Sequence, residues 1–465
     1  MTHLLLITFP LLMGVALFVL RAQTRLTLAV GGATCLVGVV LAAQVPTDRI
    51  VRVLGLVLVA DPLSRLVLVL LFGVAALVCI ASWWLPHGEN FVPIALLTLS
   101  FATAALYTQQ EPFTSTLLLV SGGLLAVLAL IDLPSGSQRL VERSSIAAAL
   151  KYLVLVVIAG VALFLAFVLA ELYQPGLMPD RASPARLTLA LLTVGFGVRL
   201  ALAPFHGWLA DFADAAFPVV AALMLTVINS VSVLLLVSAL QSFPAIVFDN
   251  DRGFEILMGY GVFSALFGGL LALLSTTPQR VVAHLLVFGA GISVFGVATT
   301  SVDGLSAAVL AVLTQILAIP LVFLSIAGLE SGWATAAELP RSRVVPLFGL
   351  TCGALMLVGV PPLASTVSRA RLFAAAAEQG SGYALLLLLA TLLALAGVVR
   401  LTHRSWAVLQ AEQATAAAAP RAAMRGPTLV LVLLVALALS VSLRPEQLEA
   451  LVADAVRALT FVSGS

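Results

Sequence analysis

The sequence has 465 residues, of which 62% are hydrophobic and 9% are charged, and its net charge is +2. A soluble domain of this length needs a far more charged surface, so the composition excludes one. No basic run indicates nucleic-acid binding. The apolar runs are long and continuous, without the alternation typical of a membrane β-barrel, and we therefore predict an all-α polytopic membrane protein.

A helix needs roughly 20 apolar residues to cross a bilayer core about 30 Å thick. By this criterion the sequence predicts about fourteen transmembrane helices, at residues 4–20, 26–43, 63–85, 91–106, 113–131, 146–169, 187–205, 217–240, 256–274, 281–299, 305–329, 345–373, 383–399 and 428–443. The short, charge-flanked stretch 50–60 favours a hairpin outside the membrane. Residues 412–425 are predicted to be a linker, and the residues from Arg444 onward have the spacing of an amphipathic surface helix.

Two of the predicted spans contain a break. In the seventh, Pro204 stands beside Phe205 and His206, and in the twelfth Pro361 and Pro362 follow a glycine. Proline removes a backbone donor and clashes with the preceding turn, so we expect both helices to be discontinuous or kinked. The breaks lie five spans apart, as they would in a five-helix unit repeated in inverted orientation.

The breaks suggest four regions along the chain. Residues 1–108 hold helices 1 to 4, and residues 109–250 hold helices 5 to 8 as the core of a first repeat. Residues 251–405 hold helices 9 to 13 as the core of a second repeat. Residues 406–465 comprise the linker, the last transmembrane helix and the amphipathic tail.

The positive charges of the short loops predict the orientation. Loops after odd-numbered spans hold Arg21, Arg25, Arg139, Arg143, Lys151, Arg280, Arg341, Arg343, Arg404, Arg421 and Arg425. Loops after even-numbered spans hold only Arg49, Arg52, Arg181, Arg186 and Arg252. We therefore expect both termini on the outer face of a bacterial inner membrane.

Ionisable residues within spans are costly and are candidates for function. They are Arg199, His206, His284, Arg369 and Arg371. Lys151 and Glu171 lie near the ends of the sixth span, where they are expected to reach the interface, and His284 is also placed near an interface. The cysteines Cys35, Cys79 and Cys352 lie within apolar spans without metal-ligand spacing, so we expect core positions, no metal site and no cofactor.

The segment GVRLALAPFHGW at residues 197–208 resembles the seventh-span signature of the antiporter-like subunits of respiratory complex I. The similarity is greatest to the subunit N type and extends to Mrp antiporter and membrane-bound hydrogenase subunits. Supporting segments are DPLSR at 61–65, ALKYL at 149–153, RVVA at 280–283 and GVPPLA at 359–364. This resemblance implies fourteen helices, two inverted five-helix repeats and broken helices 7 and 12.

In that family a row of protonatable side chains crosses the membrane midplane. The resemblance aligns most of these positions with residues of other types in this sequence. The positions correspond to Gly123 (or Gly122), Arg199, Asn229, Gly289, Gln315, Ile319 and Arg369. Only His206 is kept, and Lys151 is the one lysine of the chain. Arginine keeps its proton in proteins, so it cannot relay one. Arg199, His206, Asn229, Gln315 and Arg369 thus become candidates for an altered proton path or for fixed charges.

Three functions remain open at this point. The first is a membrane-arm subunit that contributes to proton translocation coupled to quinone reduction in a complex I-like or hydrogenase-like assembly. The second is a structural subunit of such an assembly that conducts no protons. The third, a stand-alone cation/proton antiporter, needs several intramembrane carboxylates, and none lies near the midplane of the spans. The sequence has no CxxC or dinucleotide loop, so redox chemistry and any quinone are expected on partner membrane subunits.

Overall fold

The computed structural model describes residues 2–47, 49–53, 55–132, 143–172, 184–248, 250–330, 344–361, 363–415, 425–443 and 445–462. The helices are α1 Thr2–Val19, α2 Thr24–Ala43, α3 Pro62–Ala81, α4 Phe91–Tyr107, α5 Pro112–Leu130, α6 Arg143–Leu172, α7 Pro184–Arg199, α8 Gly207–Ala215, α9 Pro218–Ser242, α10 Pro244–Phe248, α11 Asp251–Leu274, α12 Pro278–Ala298, α13 Val302–Glu330, α14 Val344–Val358, α15 Ser365–Gln379, α16 Ser381–Thr415, α17 Arg425–Leu443 and α18 Pro445–Arg457. The strands are β1 Val51–Val53 and β2 Leu56–Leu58.

Within the described residues, eleven helices are long and apolar enough to cross a membrane. Two shorter apolar helices, Phe91–Tyr107 and Val344–Val358, fall on further predicted spans. The predicted class, an all-α polytopic membrane protein, is confirmed. Each predicted span corresponds to one helix, except that the twelfth covers both α14 and α15, and α8 follows the end of the seventh span. The count of fourteen and the inverted repeat stay predictions.

Prolines and small polar caps start several of these helices. The carboxylate of Asp61 accepts a hydrogen bond from the backbone N–H of Ser64, and Pro62 opens α3. Thr277 caps α12 in the same way. A proline at the first helical position has no backbone N–H that could remain without a partner. The side-chain oxygen of an N-cap residue accepts a hydrogen bond from a backbone N–H that would otherwise have none. These residues fix where α3 and α12 begin.

The centre of the bundle is formed by α9, α12 and α13, whose most apolar stretches are entirely buried inside the protein. In contrast, most of the corresponding residues of α6 and α16 face outward. The exposed side of α6 carries Val154, Val157, Val161 and Phe164, as expected of a surface against lipid or another apolar partner. Polar groups on the three central helices are therefore shielded from the bilayer.

The loops gather at two ends of the bundle. At the first end, Arg21 donates a hydrogen bond to Asn90, and Asn90 donates to Asp132. At the second end, the carboxylate of Glu111 accepts from the backbone N–H of Val57, and Arg371 pairs with Asp303. Further contacts at the first end join Lys151 to Asp211 and Gln279 to Glu330, and at the second end join Thr460 to Gln241. Each of these contacts joins loops or helix ends that alternate crossings would place on one side.

The predicted hairpin is present, with β1 and β2 antiparallel and Val51 opposite Leu58. The predicted tail is also helical, as α18. One prediction needs correction: the thirteenth span was placed at 383–399, whereas α16 continues to Thr415. Strong helix formers, among them Ala407, Leu409 and Gln410, follow the apolar stretch and prolong the helix. The predicted linker, residues 412–425, therefore begins inside α16, and so does the predicted region 406–465. Residues 416–424 lie outside the described residues.

Candidate functional site

The break in the seventh predicted span places Arg199 at the centre of the molecule. Helix α7 ends at Arg199 and α8 begins at Gly207, with the Ala203–Pro204 peptide bond cis between them. The indole N–H of Trp208 donates to the backbone carbonyl of Val198 at 2.8 Å. Since the last carbonyls of a helix have no helical partner, this bond ties α8 to the end of α7.

The guanidinium of Arg199 lies inside the bundle, where the residue is 2% exposed. Its Nε donates to the hydroxyl of Ser232 on α9 at 3.3 Å, and that hydroxyl donates to the carbonyl of Ile228. The two terminal nitrogens, Nη1 and Nη2, have no hydrogen-bond partner among the described residues. Because a buried charge is stable only when it is paired or well hydrogen-bonded, this guanidinium is poorly satisfied by the protein itself.

The position that the resemblance assigns to a glutamate, Gly123 on α5, faces this guanidinium. A Cβ atom on Gly123 would lie 2.9 Å from Nη1 of Arg199 and 3.2 Å from the hydroxyl of Tyr152. The alternative position, Gly122, faces Phe101 and Thr98 instead. The structure thus favours Gly123 over Gly122, and the long arginine side chain extends to the surface of the glycine.

A second buried contact joins α9 to α13. The side-chain amide of Asn229 donates to the carbonyl oxygen of Gln315 at 2.5 Å, and both residues are less than 10% exposed. The amide nitrogen of Gln315 approaches Gly289, where a Cβ atom would lie 2.7 Å away. Ile319 is one turn further along α13 and is fully buried. At Gly289, as at Gly123, a glycine faces a long polar side chain of a neighbouring helix.

The second break, between α14 and α15, is held by Arg369, which is 5% exposed. Its Nε donates to the carbonyl of Val358 at 2.7 Å and its Nη2 donates to the carbonyl of Leu357 at 3.0 Å. Both acceptors belong to the last turn of α14, where the helix dipole favours a positive charge. The guanidinium carbon also lies 5.1 Å from the ring centroid of Phe288 on α12, within the range of a cation–π contact.

We call five buried residues the interior row: Arg199, Ser232, Asn229, Gln315 and Arg369. Ser232 and Asn229 are three residues apart on α9 and so share a helix face. Gln315 contacts α12 at Gly289, and Arg369 contacts the same helix at the adjacent Phe288. Serine, asparagine and glutamine do not titrate, and arginine stays protonated, so no member exchanges a proton near neutral pH.

A different group of polar residues lies at the first end of the bundle. We call Lys151, Asp211, Asp214 and Arg280 the ion-pair cluster. Lys151 pairs with Asp211 at 2.7 Å, and Arg280 pairs with Asp214 and lies 3.6 Å from Asp211. Thr277 donates to Asp214 at 2.9 Å. The side chains are 27–46% exposed, so each pair stabilises the fold only weakly.

The two histidines lie beside this cluster and not in the interior row. The rings of His206 and His284 have centroids 6.2 Å apart, and His206 packs edge-on against Phe267 at 4.9 Å. Nδ1 of His284 is 2.7 Å from the hydroxyl of Ser275. His284 sits in the second turn of α12, close to the end of the bundle as predicted, although its side chain is buried. These are the groups of the described site whose ordinary titration range includes neutral pH.

The family model described as NADH:quinone oxidoreductase/Mrp antiporter, TM, matches residues 114–394, more than half of the chain. The chain belongs to this family. Among curated relatives, NADH-quinone oxidoreductase subunit N of Desulforudis audaxviator is 27% identical over 361 residues, which are 70% of this chain and 68% of the relative. Subunit N 2 of Acidobacterium capsulatum is 30% identical over 251 residues, 50% of this chain and 51% of the relative.

Solved structures show the same fold across nearly the whole chain. A chain of the membrane-bound sulfane sulfur reductase, an archaeal respiratory membrane complex, superposes with a TM-score of 0.80 at 19% identity and covers 99% of this chain and 98% of its own. A chain of the Mrp complex from Dietzia sp. gives 0.78 at 17% identity, over 98% and 96%. One from Thermus thermophilus respiratory complex I gives 0.76 at 15%, over 99% and 100%.

For this member of the antiporter-like family, the structure separates the predicted site residues into two places. Arg199, Asn229, Gln315 and Arg369 belong to the interior row, whereas Lys151, His206 and His284 lie at the first end. Pro204 and Pro361 lie in the two breaks, and Pro362 is outside the described residues. Whether any of them carries or steers protons stays a proposal.

The sequence interpretation missed Ser232, Tyr152, Asp211 and Asp214. Ser232 carries no signal in a single sequence, and Tyr152 entered only as part of the ALKYL segment, because neither side chain is charged and neither marks a site by itself. Asp211 and Asp214 did carry one, since they lie one turn apart just after the GVRLALAPFHGW segment. Their spacing would have placed two carboxylates on one face of the helix that follows the break.

Proposed function

We propose that this protein is a membrane-arm subunit of a complex I-like or hydrogenase-like assembly and contributes to proton translocation coupled to quinone reduction. The observation that carries the proposal is the family match over residues 114–394. The fold likeness supports it, because the similar chains belong to respiratory complex I, to the Mrp complex and to a sulfane sulfur reductase complex. All of these are membrane complexes, so we infer that partner membrane subunits cover part of the outward apolar surface.

Electron transfer and quinone binding are assigned to those partners, and the protein itself is assigned no cofactor. The bilayer and the partners would share the outward faces of helices such as α6 and α16. We propose a plasma-membrane location, and the positive-inside bias supports an orientation with both termini outside. On this assignment the ion-pair cluster and the histidine pair lie on the inner side, next to the cytoplasm.

A second candidate is a subunit of the same assembly that conducts no protons through its own bundle. The interior row supports it, because Arg199, Ser232, Asn229, Gln315 and Arg369 present no exchangeable proton near neutral pH. Relatives of this family have an amine at the position of Arg199, and burial lowers the pKa of an amine enough for it to release a proton. A guanidinium in that position holds its proton and acts as a fixed charge.

Proton flux through the isolated chain separates the two candidates. The purified full chain is reconstituted in liposomes, a pH gradient is imposed, and a trapped pH-sensitive dye reports its decay. The second candidate predicts a decay equal to that of empty liposomes, because the interior row has no side chain that can relay protons. Arg252→Ala, an exposed substitution in the first turn of α11, is the matched control. Fast decay that Arg199→Ala abolishes and Arg199→Lys retains would establish conduction through the row and reject the second candidate.

Purification from native membranes tests the assembly itself. A tagged chain extracted in a mild detergent is expected to retain other membrane subunits together with a redox-active subunit, identified by mass spectrometry and by its absorbance. A chain that elutes alone and exchanges protons for sodium or potassium in liposomes would instead identify a stand-alone antiporter and overturn the proposal.

A further inference from the structure

A cavity at the second end of the bundle has room for a ligand. It measures about 570 Å³ and lies where α5 begins and where α6 and α9 end. Cavities of about 300–1,000 Å³ are typical of sites that enclose a small molecule or part of a larger one. Because helix ends mark the membrane surface, the cavity lies at the level of lipid headgroups.

The lining of this cavity is acidic. It includes the carboxylates of Glu111 and Glu171 and contains no lysine, arginine or histidine. Among the described residues, Glu111 accepts hydrogen bonds from neutral donors, the backbone N–H of Val57 at 2.9 Å and the hydroxyl of Thr114 at 3.2 Å. Neither glutamate belongs to an ion pair within the described part of the chain. A cation in the cavity would therefore meet two carboxylates without a counter-charge.

Glu171 stands where a helix disfavours a negative charge. It is the last residue but one of α6, and the free carbonyl groups at the end of a helix carry partial negative charge. The carboxylate and these carbonyls repel each other. A positive group beside them would be attracted by both.

The rest of the cavity wall is largely aromatic. Phe113 on α5 packs edge-on against Phe164 on α6, with ring centroids 5.2 Å apart, and Phe167 stacks on Phe243 at 6.2 Å. Phe164 and Val168 also belong to the outward face of α6. The apolar wall of the cavity therefore continues onto a surface that acyl chains can contact.

We propose that this cavity binds the headgroup of a phospholipid that carries a primary ammonium group, as an ethanolamine lipid does. The ammonium pairs with Glu111 and Glu171, and the aromatic wall attracts the same charge. The acyl chains run along Phe164 and Val168. An anionic headgroup is disfavoured, because both carboxylates repel it. The bound lipid joins the ends of α5, α6 and α9, and the site does not depend on the assignment to a respiratory assembly.

Lipid-dependent stability of the purified full chain tests the proposal. Thermal unfolding in detergent is titrated with dioleoyl phosphatidylethanolamine or with dioleoyl phosphatidylglycerol, which has the same chains and an anionic headgroup. A ligand that binds only the folded state raises the melting temperature. We expect a saturable rise with the ethanolamine lipid and none with the glycerol lipid. Equal rises with the two lipids would overturn the proposal.

The headgroup without its chains separates a lipid from a soluble amine. Glycerophosphoethanolamine carries the same ammonium and phosphate groups but has no acyl chain to contact the outward face of α6. We expect it to leave the melting temperature unchanged at the concentrations at which the ethanolamine lipid acts. An equal rise with this compound would show that the cavity takes a soluble amine, and it would reject the lipid.

Substitutions of Glu171 test the charge. Its side chain is exposed and opposed by the helix dipole, so the variants should be at least as stable as the wild type without lipid. Glu171→Gln should weaken binding of the ethanolamine lipid roughly threefold. Glu171→Lys should weaken it by at least about tenfold. Glu255→Gln, on the exposed side of α11 at the same end, is the matched control. Wild-type affinity in Glu171→Lys would contradict the proposal.

A photoreactive lipid locates the site. Phosphatidylethanolamine with a diazirine in one acyl chain is added to the purified chain and irradiated, and the modified peptides are identified by mass spectrometry. We expect the adducts on the peptide that contains Phe164 and Val168. Adducts spread evenly over the outward faces of α6 and α16 would indicate ordinary contact with the bilayer and would reject the cavity as the binding site.

Discussion

Arg369 has a well-defined structural task at the second break. It donates hydrogen bonds to the carbonyls of Leu357 and Val358, which end α14 without helical partners. A hydrogen bond to a charged group contributes about 1.5–3 kcal/mol. Arg199 ends α7 at the first break but donates to a serine hydroxyl instead. The two arginines therefore occupy similar places in the two broken helices and make different contacts.

Replacing Arg369 by methionine should lower the free energy of unfolding by about 3 kcal/mol, because two carbonyl acceptors lose their donor inside an apolar bundle. Arg369→Lys, which cannot span both carbonyls, should lie between the wild type and the methionine variant. Thermal unfolding of the purified chain in detergent measures both. The exposed Arg457→Met is the control, and equal stability of all four proteins would show that Arg369 does not stabilise the break.

Gly359 is constrained by the same break. Its φ is +87°, in the region that favours glycine, and a Cβ atom there would collide with the side chain of Arg369. We expect Gly359→Ala to lower the free energy of unfolding by about 1–3 kcal/mol, as measured by thermal unfolding. Gly259→Ala is the matched control, because a Cβ on Gly259 meets open space. An unchanged melting temperature for Gly359→Ala would contradict the strain argument.

At the residue scale, the sequence identified which positions lack titratable groups but not how they face each other. That Gly123 faces Arg199, and that Gly289 faces Gln315, depends on the rotation of each helix about its axis. In spans that are apolar on every side, no amphipathic stripe reports this rotation. The choice between Gly122 and Gly123 therefore had to wait for the structure.

At the scale of elements, the terminal helix α18 is attached to the bundle by an ionic contact. Arg371 of α15 pairs with Asp303 at the start of α13 at 2.6 Å and also with Glu449 of α18. All three side chains are partly exposed, so the contact contributes on the order of 1 kcal/mol. This ionic attachment is weak and adds to the apolar contacts of α18, whose Val452 and Val456 are buried.

Glu449→Gln should loosen α18 by removing one of the two carboxylates that pair with Arg371. A loss of about 1 kcal/mol corresponds to a roughly fivefold increase in the open population. Hydrogen exchange of the amides of α18 measures it, and we expect a several-fold faster rate. Glu446→Gln, on the exposed side of the same helix, is the control. Identical exchange in the two variants would show that the ion pair does not hold α18.

The breaks of the two discontinuous helices were predictable, because proline and glycine act locally on the backbone. The length of α16 was not, because an apolar stretch indicates the thickness of the membrane and not the end of the helix. Helix-forming residues outside the membrane continue the same hydrogen-bond ladder to Thr415. The hairpin β1–β2 was predicted correctly from its short length and flanking charges.

At the scale of the whole molecule, reporter proteins fused to loops at the two ends of the bundle test the proposed orientation in the membrane. An alkaline phosphatase fused after Gln110, at the second end, should be active outside the cytoplasm if the termini lie on the outer face. A fluorescent protein fused after Thr276, at the first end, should be fluorescent in the cytoplasm. The reverse fusions are the controls, and activity of the phosphatase after Thr276 would invert the proposed orientation.

The membrane class and the family followed from the sequence, but the internal arrangement did not. Lipid tails and protein interiors are both apolar, so hydropathy cannot tell a helix against lipid from one in the core. The spans of α6 and α9 are similarly rich in valine and leucine, yet α9 is buried throughout and α6 faces outward. Only the packing of the helices against each other distinguishes them.

Two permanent cations, Arg199 and Arg369, are buried at the two helix breaks in the interior of this molecule. A positive charge that cannot be discharged repels hydronium, in the way that charged constrictions exclude protons from water channels. A membrane that stores energy as an ion gradient must not leak ions through any of the proteins embedded in it. If the second candidate function is correct, the two guanidinium groups give this bundle the properties of an electrical insulator.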